Sequence, residues 1–322
     1  MNALALGVVG YGIMGERLLR AAMDHDPAAV RVAGVWDPAP SAMARLADAF
    51  PGVPRLAGPD AVIAAADCVY VASPPATHLA HAEAAVAAGK AAFLEKPLAV
   101  DVAAARRFVA GAGDARTAVN FPFASSLAVA RLAAWEDEGV VGVRRRLTIE
   151  VAFAAWPRPW QMDAAGWLAG RAQGGFTREV VSHFLFLARR RLGPLQLLSH
   201  AVDYPPGDGS ELGITAELRA GDVSVRLAGR VGGTDKADHN LWLLEGDRGA
   251  IRLRDWSVAE RREADGTWRE AADAMANERA RPLVLRRQLD AVAAMTRGAP
   301  HGLATTAEAL DVQTVVEAIL AG

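Results

Sequence analysis

The sequence predicts a two-domain α/β chain: a doubly wound parallel sheet at the N-terminal end, then an α/β domain with a large open, mainly antiparallel sheet. Over the first 120 residues, short apolar runs alternate with amphipathic stretches, the pattern of strand–helix units around a parallel sheet. Between 195 and 256, strand-like runs follow one another directly, separated by turn signals such as Pro205-Pro206-Gly207-Asp208-Gly209. A length of 322 residues suits two ordinary domains rather than one.

The elements follow in order. Leu4 to Val9 is an unbroken apolar run ending in Gly10, the type of a buried parallel strand. Glu16 to Asp24 reads as a helix with Leu18, Leu19 and Met23 on one side. Val30 to Trp36 is a second strand closed by Asp37-Pro38, and Ser41 is placed to cap a helix through Phe50. Ala61-Val62-Ile63 lies in a short segment before a strand at 68–72. Thr77 to Ala88 is helical and stops at Gly89. Ala92 to Leu94 is a strand, Asp101 caps a helix to Ala110, and Thr117 to Val119 ends the alternation near residue 120. Beyond it, Leu127 to Asp137 reads as a helix, Val140 to Val151 as a half-exposed strand, 153–175 as irregular, and Phe176 to Arg191 as a strong helix. Runs at 195–203, 212–219, 222–231, 239–245 and 249–256 suit an antiparallel sheet. Arg281–Arg297 and Thr305–Leu320 close the chain as helices.

Composition narrows the function. Hydrophobic residues are 52% and charged residues 22%, enough to build a core. The formal net charge of -2 argues against coating nucleic acid or an anionic membrane. Arg144-Arg145-Arg146, Arg189-Arg190-Arg191 and Arg286-Arg287 read as solvated faces in a chain that writes Arg for Lys. No apolar run reaches the length of a membrane span, and the start lacks a basic, then apolar leader, so a cytoplasmic location is expected. Cys68, the single cysteine, excludes an intrachain disulfide and a cysteine zinc site. His78 and His81 lack a third ligand nearby, so no metal is expected. There is no G-x-S-x-G nucleophile context. Only three lysines occur, Lys90, Lys96 and Lys236.

The chemistry is carried by three loops. Gly10-Tyr11-Gly12-Ile13-Met14-Gly15 follows the first strand and opens the first helix. Gly10 allows the turn, Gly12 lets a pyrophosphate approach the backbone, and Gly15 permits close helix–strand packing. Gly10, Gly12, Ile13, Met14 and Gly15 are therefore candidate dinucleotide contacts. Asp37, ending the second strand, completes the Rossmann fingerprint as the partner of the ribose hydroxyls. Its carboxylate favours NAD over NADP, while arginines such as Arg45 leave NADP open. Ser73-Pro74-Pro75-Ala76-Thr77-His78 and Glu95-Lys96-Pro97 leave the next two strands at their carboxyl ends, where such sheets bind ligands.

A nucleotide fingerprint, a small-Pro-Pro-x-x-His loop and Glu-Lys-Pro just before position 100 together resemble the Gfo/Idh/MocA oxidoreductase family, over essentially the whole chain. The resemblance implies a Rossmann domain at 1–120, a substrate and oligomerisation domain at 121–300, and a helix at 301–322 packing back near the first. It implies that Lys96 is the active-site lysine near the nicotinamide and a substrate hydroxyl, and that Ser73, Pro74, His78 and Glu95 touch the cofactor. The family's second signal is a double glycine before a helix bearing Asp and His. Here it reads Gly174-Gly175-Phe176-Thr177-Arg178-Glu179-Val180-Val181-Ser182-His183. His183 matches the catalytic histidine. Glu179 stands one methylene longer than the usual Asp, four residues before His183 and on the same helix face. An acid and an imidazole on one face can bind a hydroxyl and accept its proton.

By the same resemblance the substrate is a sugar, a cyclic polyol or a related keto compound. Asn120, Phe123, Trp156, Trp160 and Phe176 are candidate substrate contacts, and their rings suggest a pocket more apolar than a simple polyol site. Two alternatives stand beside this reading: a reductase of imines or less polar carbonyls, and a dinucleotide-binding regulatory protein without hydride transfer. Leu, Val and Trp within 223–231 and 241–256 suggest an apolar outer sheet face, expected to pair in a homodimer or homotetramer.

Overall fold

In a computed structural model describing residues 3–321, the strand–helix alternation closes into one parallel sheet. Met1 and Asn2, where the leader reading begins, and Gly322 lie outside the described residues. The elements are β1 (Leu4–Val9), α1 (Ile13–Met23), β2 (Val30–Trp36), α2 (Pro40–Ala49), α3 (Pro59–Ala65), β3 (Cys68–Val71), α4 (His78–Ala87), β4 (Ala91–Leu94), α5 (Val102–Ala112) and β5 (Thr117–Val119). Their order across the sheet is β2-β1-β3-β4-β5, all neighbours parallel. Every residue of β1, β3 and β4 is buried, which is why these strands read as unbroken apolar runs. The thiol of Cys68 lies inside β3, and burial pushes it up to about 12.

Local signals account for most helix ends. Asp101 caps α5 by accepting the Ala103 N–H at 2.7 Å. Ser41 does not cap α2: the helix starts one residue earlier at Pro40, whose fixed φ suits the first helical position. Residues 61–63 lie inside α3.

The second part begins with α6 (Leu127–Asp137), capped by Ser126. There follow β6 (Arg144–Phe153), α7 (Ala165–Leu168), α8 (Ser182–Leu192), β7 (Gln196–Asp203), β8 (Gly213–Ala220), β9 (Val223–Val231), β10 (His239–Gly246), β11 (Ala250–Arg254), β12 (Val258–Arg262) and β13 (Trp268–Glu270). These strands form an eight-stranded sheet in the order β13-β12-β11-β10-β6-β9-β8-β7. All neighbours are antiparallel except β6 and β9, which run parallel from Arg146↔Ser224 to Phe153↔Val231. The chain closes with α9 (Asn277–Thr296) and α10 (Thr306–Leu320).

The expected apolar outer face is not there. Side chains alternate along each strand, and the alternation turns Val223, Val225, Leu227, Trp242, Leu244, Ile251 and Leu253 inward, where they are buried. Ser224 and Arg226 on β9 and Thr215, Glu217 and Arg219 on β8 are exposed, and a Glu217–Arg226 ion pair at 3.0 Å joins the two strands. Leu241 and Leu243 on β10 are half-buried.

The described residues divide into two compact units. The first takes residues to Ser125 together with Pro282–Leu310, and the second takes Ser126–Arg281 together with residues from Asp311 on. This differs from a second domain running to 300. Leu285, Leu289 and Val292 form one stripe of α9 and join the core around β1, β3 and β4 with Leu6, Tyr70 and Phe93. The sequence marks this segment as a helix; it carries no information about which sheet receives the stripe. Of 301–322, residues through Leu310 fall in the first unit and the described residues from Asp311 in the second.

Because Leu289 is fully buried, Leu289→Ala should lower the stability of the first unit by about 2–5 kcal/mol. Leu198→Ala, at an exposed position of β7, should change stability by less than about 0.5 kcal/mol. Urea unfolding of the two variants measures both.

Candidate functional site

In the first unit, β1 delivers the glycine loop against the β3 end. Gly10 has φ +98°, and a Cβ there would stand 2.6 Å from the Ala72 carbonyl. A Cβ on Gly15 would collide with the Gly10 carbonyl oxygen. Both glycines are demanded by the unit's own packing. Gly12 is different: a Cβ on it would meet nothing within 4 Å. The space over the first turn of α1 is open, and no side chain caps that helix end. Such an opening fits a pyrophosphate approaching free amides and the positive end of the helix dipole.

Asp37 ties this loop to the end of β2. One carboxylate oxygen accepts the Tyr11 N–H at 2.7 Å, the other the Ala39 N–H at 2.8 Å. An ionised carboxylate has about four lone-pair sites, so two remain for ribose hydroxyls. Arg45 donates to the Tyr11 carbonyl at 3.2 Å and lies beside the same loop.

Two of the expected cofactor contacts turn inward. The imidazole of His78 is buried, with Nδ1 2.8 Å from the Pro97 carbonyl and Nε2 2.7 Å from the Ser73 carbonyl. The two nitrogens face carbonyls of the loops after β3 and β4; burial lowers the ring's affinity for a proton, and the neutral ring donates to one of the two. Glu95 is also buried, and one of its oxygens accepts from the Tyr70 hydroxyl and from the Asn120 amide, the latter at 2.5 Å. Asn120, expected at the substrate, in turn accepts from Gln288 of α9 at 2.6 Å. A buried carboxylate needs donors, and Tyr70, Asn120 and Gln288 form the network that supplies them. Tyr70 was legible as a hydroxyl inside an apolar strand, which must find a partner; Gln288 left no such mark. Lys96 follows Glu95 at the end of β4, half-exposed, with half-buried Ser73 and exposed Pro74 at the end of β3.

In the second unit the double glycine has a steric cause. A Cβ on Gly174 would collide with the carbonyls of Trp167 and Leu168, and Gly175, at φ +99°, would drive one into the Glu211 carboxylate. Glu211 is buried and accepts the Thr177 N–H at 2.6 Å, so it caps the helix that follows. Thr177–Val181 is one wide π-helical turn, which then runs into α8. Such turns recur at functional sites, and this one carries Glu179, four residues before the buried His183.

Of the expected substrate-facing rings, Trp156, Trp160 and Phe176 belong to the second unit and Phe123 to the first. Phe176 and Phe123 are buried in their own units. Phe176 packs 5.4 Å from Phe153 and over Gly229, where a Cβ would stand 2.7 Å from its ring. Trp156 joins that cluster and donates to the Leu168 carbonyl at 3.2 Å. Trp160 is 45% exposed, with the Arg158 guanidinium 4.6 Å over its ring. Arg158, itself buried, is paired with Asp238 at 2.7 Å and lies within electrostatic reach of Glu179. Asp238 and Trp256, whose ring lies 5.6 Å from His183, carried no signal in the sequence. Among the described residues no group of three or more His, Cys, Asp or Glu side chains could hold a metal ion, and no helix is long and apolar enough to cross a membrane.

Burial raises the Glu211 carboxyl above its ordinary value. A group raised in the folded state stabilises fully below its unfolded value of about 4.3 and loses that contribution as pH rises through the folded value. The Tm of wild type minus that of Glu211→Gln should therefore increase as pH falls from about 7 to 5, read by thermal melts across that range.

Residues 4–121 match the model of the Gfo/Idh/MocA oxidoreductase family, with its NAD-binding Rossmann fold. No curated protein matches the chain in sequence. Among solved structures, the chain is similar to an oxidoreductase from Agrobacterium radiobacter in complex with NAD+, L-tartaric acid and magnesium. Identity is 20%, the TM-score 0.82, and the match covers 98% of this chain and 95% of that one. It is also similar to a 3-ketoreductase from Actinomadura kijaniata in complex with NADP and TDP-benzene, at 21% identity and TM-score 0.80, covering 100% and 98%. A UDP-N-acetylglucosamine 3-dehydrogenase from Acidithiobacillus ferrooxidans matches at 17% identity and TM-score 0.78, again over 100% and 98%. These likenesses show the fold of the whole chain. The match to the family model lies within the first unit and takes in the nucleotide loop, Asp37 and the loops after β3 and β4.

Proposed function

We propose that this protein is an NAD(P)-dependent oxidoreductase that moves a hydride between the nicotinamide and a carbinol or carbonyl carbon of a sugar, cyclic polyol or related keto compound. The observation that carries the reading is the uncapped first turn of α1 beneath Gly12, open where the packing at Gly10 and Gly15 is closed. When bound, the nicotinamide gives or takes the hydride, the part of the chemistry that side chains cannot supply.

The chain's own residues do the rest. The amides of α1 hold the pyrophosphate, and Asp37 accepts from the ribose while repelling a 2′-phosphate, so NAD is preferred. Lys96 donates a hydrogen bond to the substrate oxygen and polarises it. His183 is the general acid/base: it takes the hydroxyl proton when a carbinol is oxidised and returns it when a carbonyl is reduced, while Glu179 orients the substrate or the imidazole. The sugar class is supported by two structural relatives, a UDP-N-acetylglucosamine 3-dehydrogenase and a 3-ketoreductase holding TDP-benzene.

An absorbance screen at 340 nm over sugars, inositols, hydroxy acids and imines, with NAD and NADP in parallel, should find turnover among the sugars or polyols, faster with NAD. Turnover on imines alone would overturn the substrate class. With the substrate found, Lys96→Ala should lower kcat by about 10²–10⁴-fold while NADH binding, read by fluorescence, stays within about threefold. Wild-type turnover in that variant would remove Lys96 from the chemistry.

A further inference from the structure

The turn between β11 and β12 consists of Asp255, Trp256 and Ser257. Asp255 has φ 48° and Trp256 φ 71°, the two non-glycine residues at positive φ among the described residues. Aspartate tolerates this region, whereas a bulky side chain there is an outlier and glycine or asparagine would sit without strain. The backbone is forced into place by Asn240, which is buried in β10. Its carbonyl accepts the Asp255 N–H at 3.1 Å, and its Oδ1 accepts the Trp256 N–H at 2.8 Å.

The strained conformation delivers the indole to a particular place. Nε1–H donates to Asp238 Oδ1 at 3.3 Å, and Asp238 Oδ2 holds the buried Arg158 guanidinium at 2.7 Å. Arg158 is fixed further by Gln161, whose Oε1 accepts from its Nε at 3.0 Å. The ring meets the His183 imidazole edge to face, 5.6 Å between centroids and 72° between planes, and leans on Phe184 at 5.2 Å. A side chain needed only for packing could come from an inward strand position such as Leu253, at no backbone cost. Strained residues persist where the surroundings over-determine them, and they gather at functional sites.

We propose that Trp256 is a positioning residue: clamped by Asn240 and anchored through Asp238, its indole holds the His183 imidazole in one orientation for proton transfer. The inference rests on the assignment of His183 given above. Glycine removes the ring while suiting the backbone, so Trp256→Gly separates the two roles of the residue, and Trp256→Asn repeats the test should the glycine variant fold poorly.

The expected result has three parts. Trp256→Gly melts within about 4 °C of wild type. Its crystal structure shows the His183 ring in more than one orientation, and the ring-current shift of the imidazole protons, seen by NMR in the wild type, is gone. Trp256→Phe, which keeps a ring edge, restores most of that shift. With a substrate from the absorbance screen, kcat of Trp256→Gly falls about tenfold to a hundredfold with KM little changed, and this loss vanishes in a His183→Ala background. An imidazole equally ordered and identically oriented in Trp256→Gly overturns the proposal, as does a large fall in Tm with the imidazole unmoved, which would mark the indole as packing alone. Wild-type turnover by His183→Ala would instead overturn the assignment of His183, while the imidazole measurements still decide whether Trp256 orients the ring.

Discussion

Glu95 lies inside the first unit with its carboxylate buried, and the loops that carry the proposed chemistry there depend on how that charge is satisfied. A buried carboxylate without donors is strongly unfavourable, and breaking its partnership leaves an uncompensated charge. Tyr70 from β3, Asn120 from beyond β5 and, through it, Gln288 from α9 meet the requirement. Burial and the neighbouring carboxylate keep the Tyr70 phenol far above its ordinary value, so it remains a donor. The result joins the carboxyl ends of three adjacent strands to one helix, immediately beside Lys96. His78 adds the clasp between the loops after β3 and β4. The hydrogen bonds of both residues shape the loops that carry Ser73, Pro74 and Lys96.

The second unit meets a comparable demand with backbone. A helix start that is buried must have its amides satisfied, and Glu211 does this for Thr177. The space its carboxylate occupies is why residue 175 has no side chain, and the carbonyls of residues 167 and 168 exclude one at 174. The double glycine is thus an imprint of packing, and the wide turn it opens carries Glu179. Farther along, the ion pairs of Glu260 with Arg252 and Arg254 hold β11 and β12 together, and the turn between those strands brings Trp256 to His183.

Much of this was legible without coordinates. Buried strands announced themselves as apolar runs, helix ends as Asp101 and Gly89, and the nucleotide loop as glycines between a strand and a helix. Those features depend on neighbours in sequence, where spacing and side-chain type carry the information. The roles of single side chains were less legible. Asn120 pairs with Glu95 and Gln288, partners that no local pattern identifies, because direction depends on register and packing.

Sequence alone determined the alternating architecture of the first unit and the glycine loop between β1 and α1 with Asp37 at the end of β2, since each rests on local spacing of glycines, apolar runs and acids. Only the tertiary structure decided that α9 completes the first unit's core, that the apolar residues of β9 to β11 face inward, that His78 and Glu95 serve the loops around them, and that Trp256 lies against His183. Each of those is a contact between residues far apart in the chain, selected by burial, by the satisfaction of buried polar groups and by the two-residue period of a strand. Local pattern shows that such a partner is needed and leaves its identity to the fold.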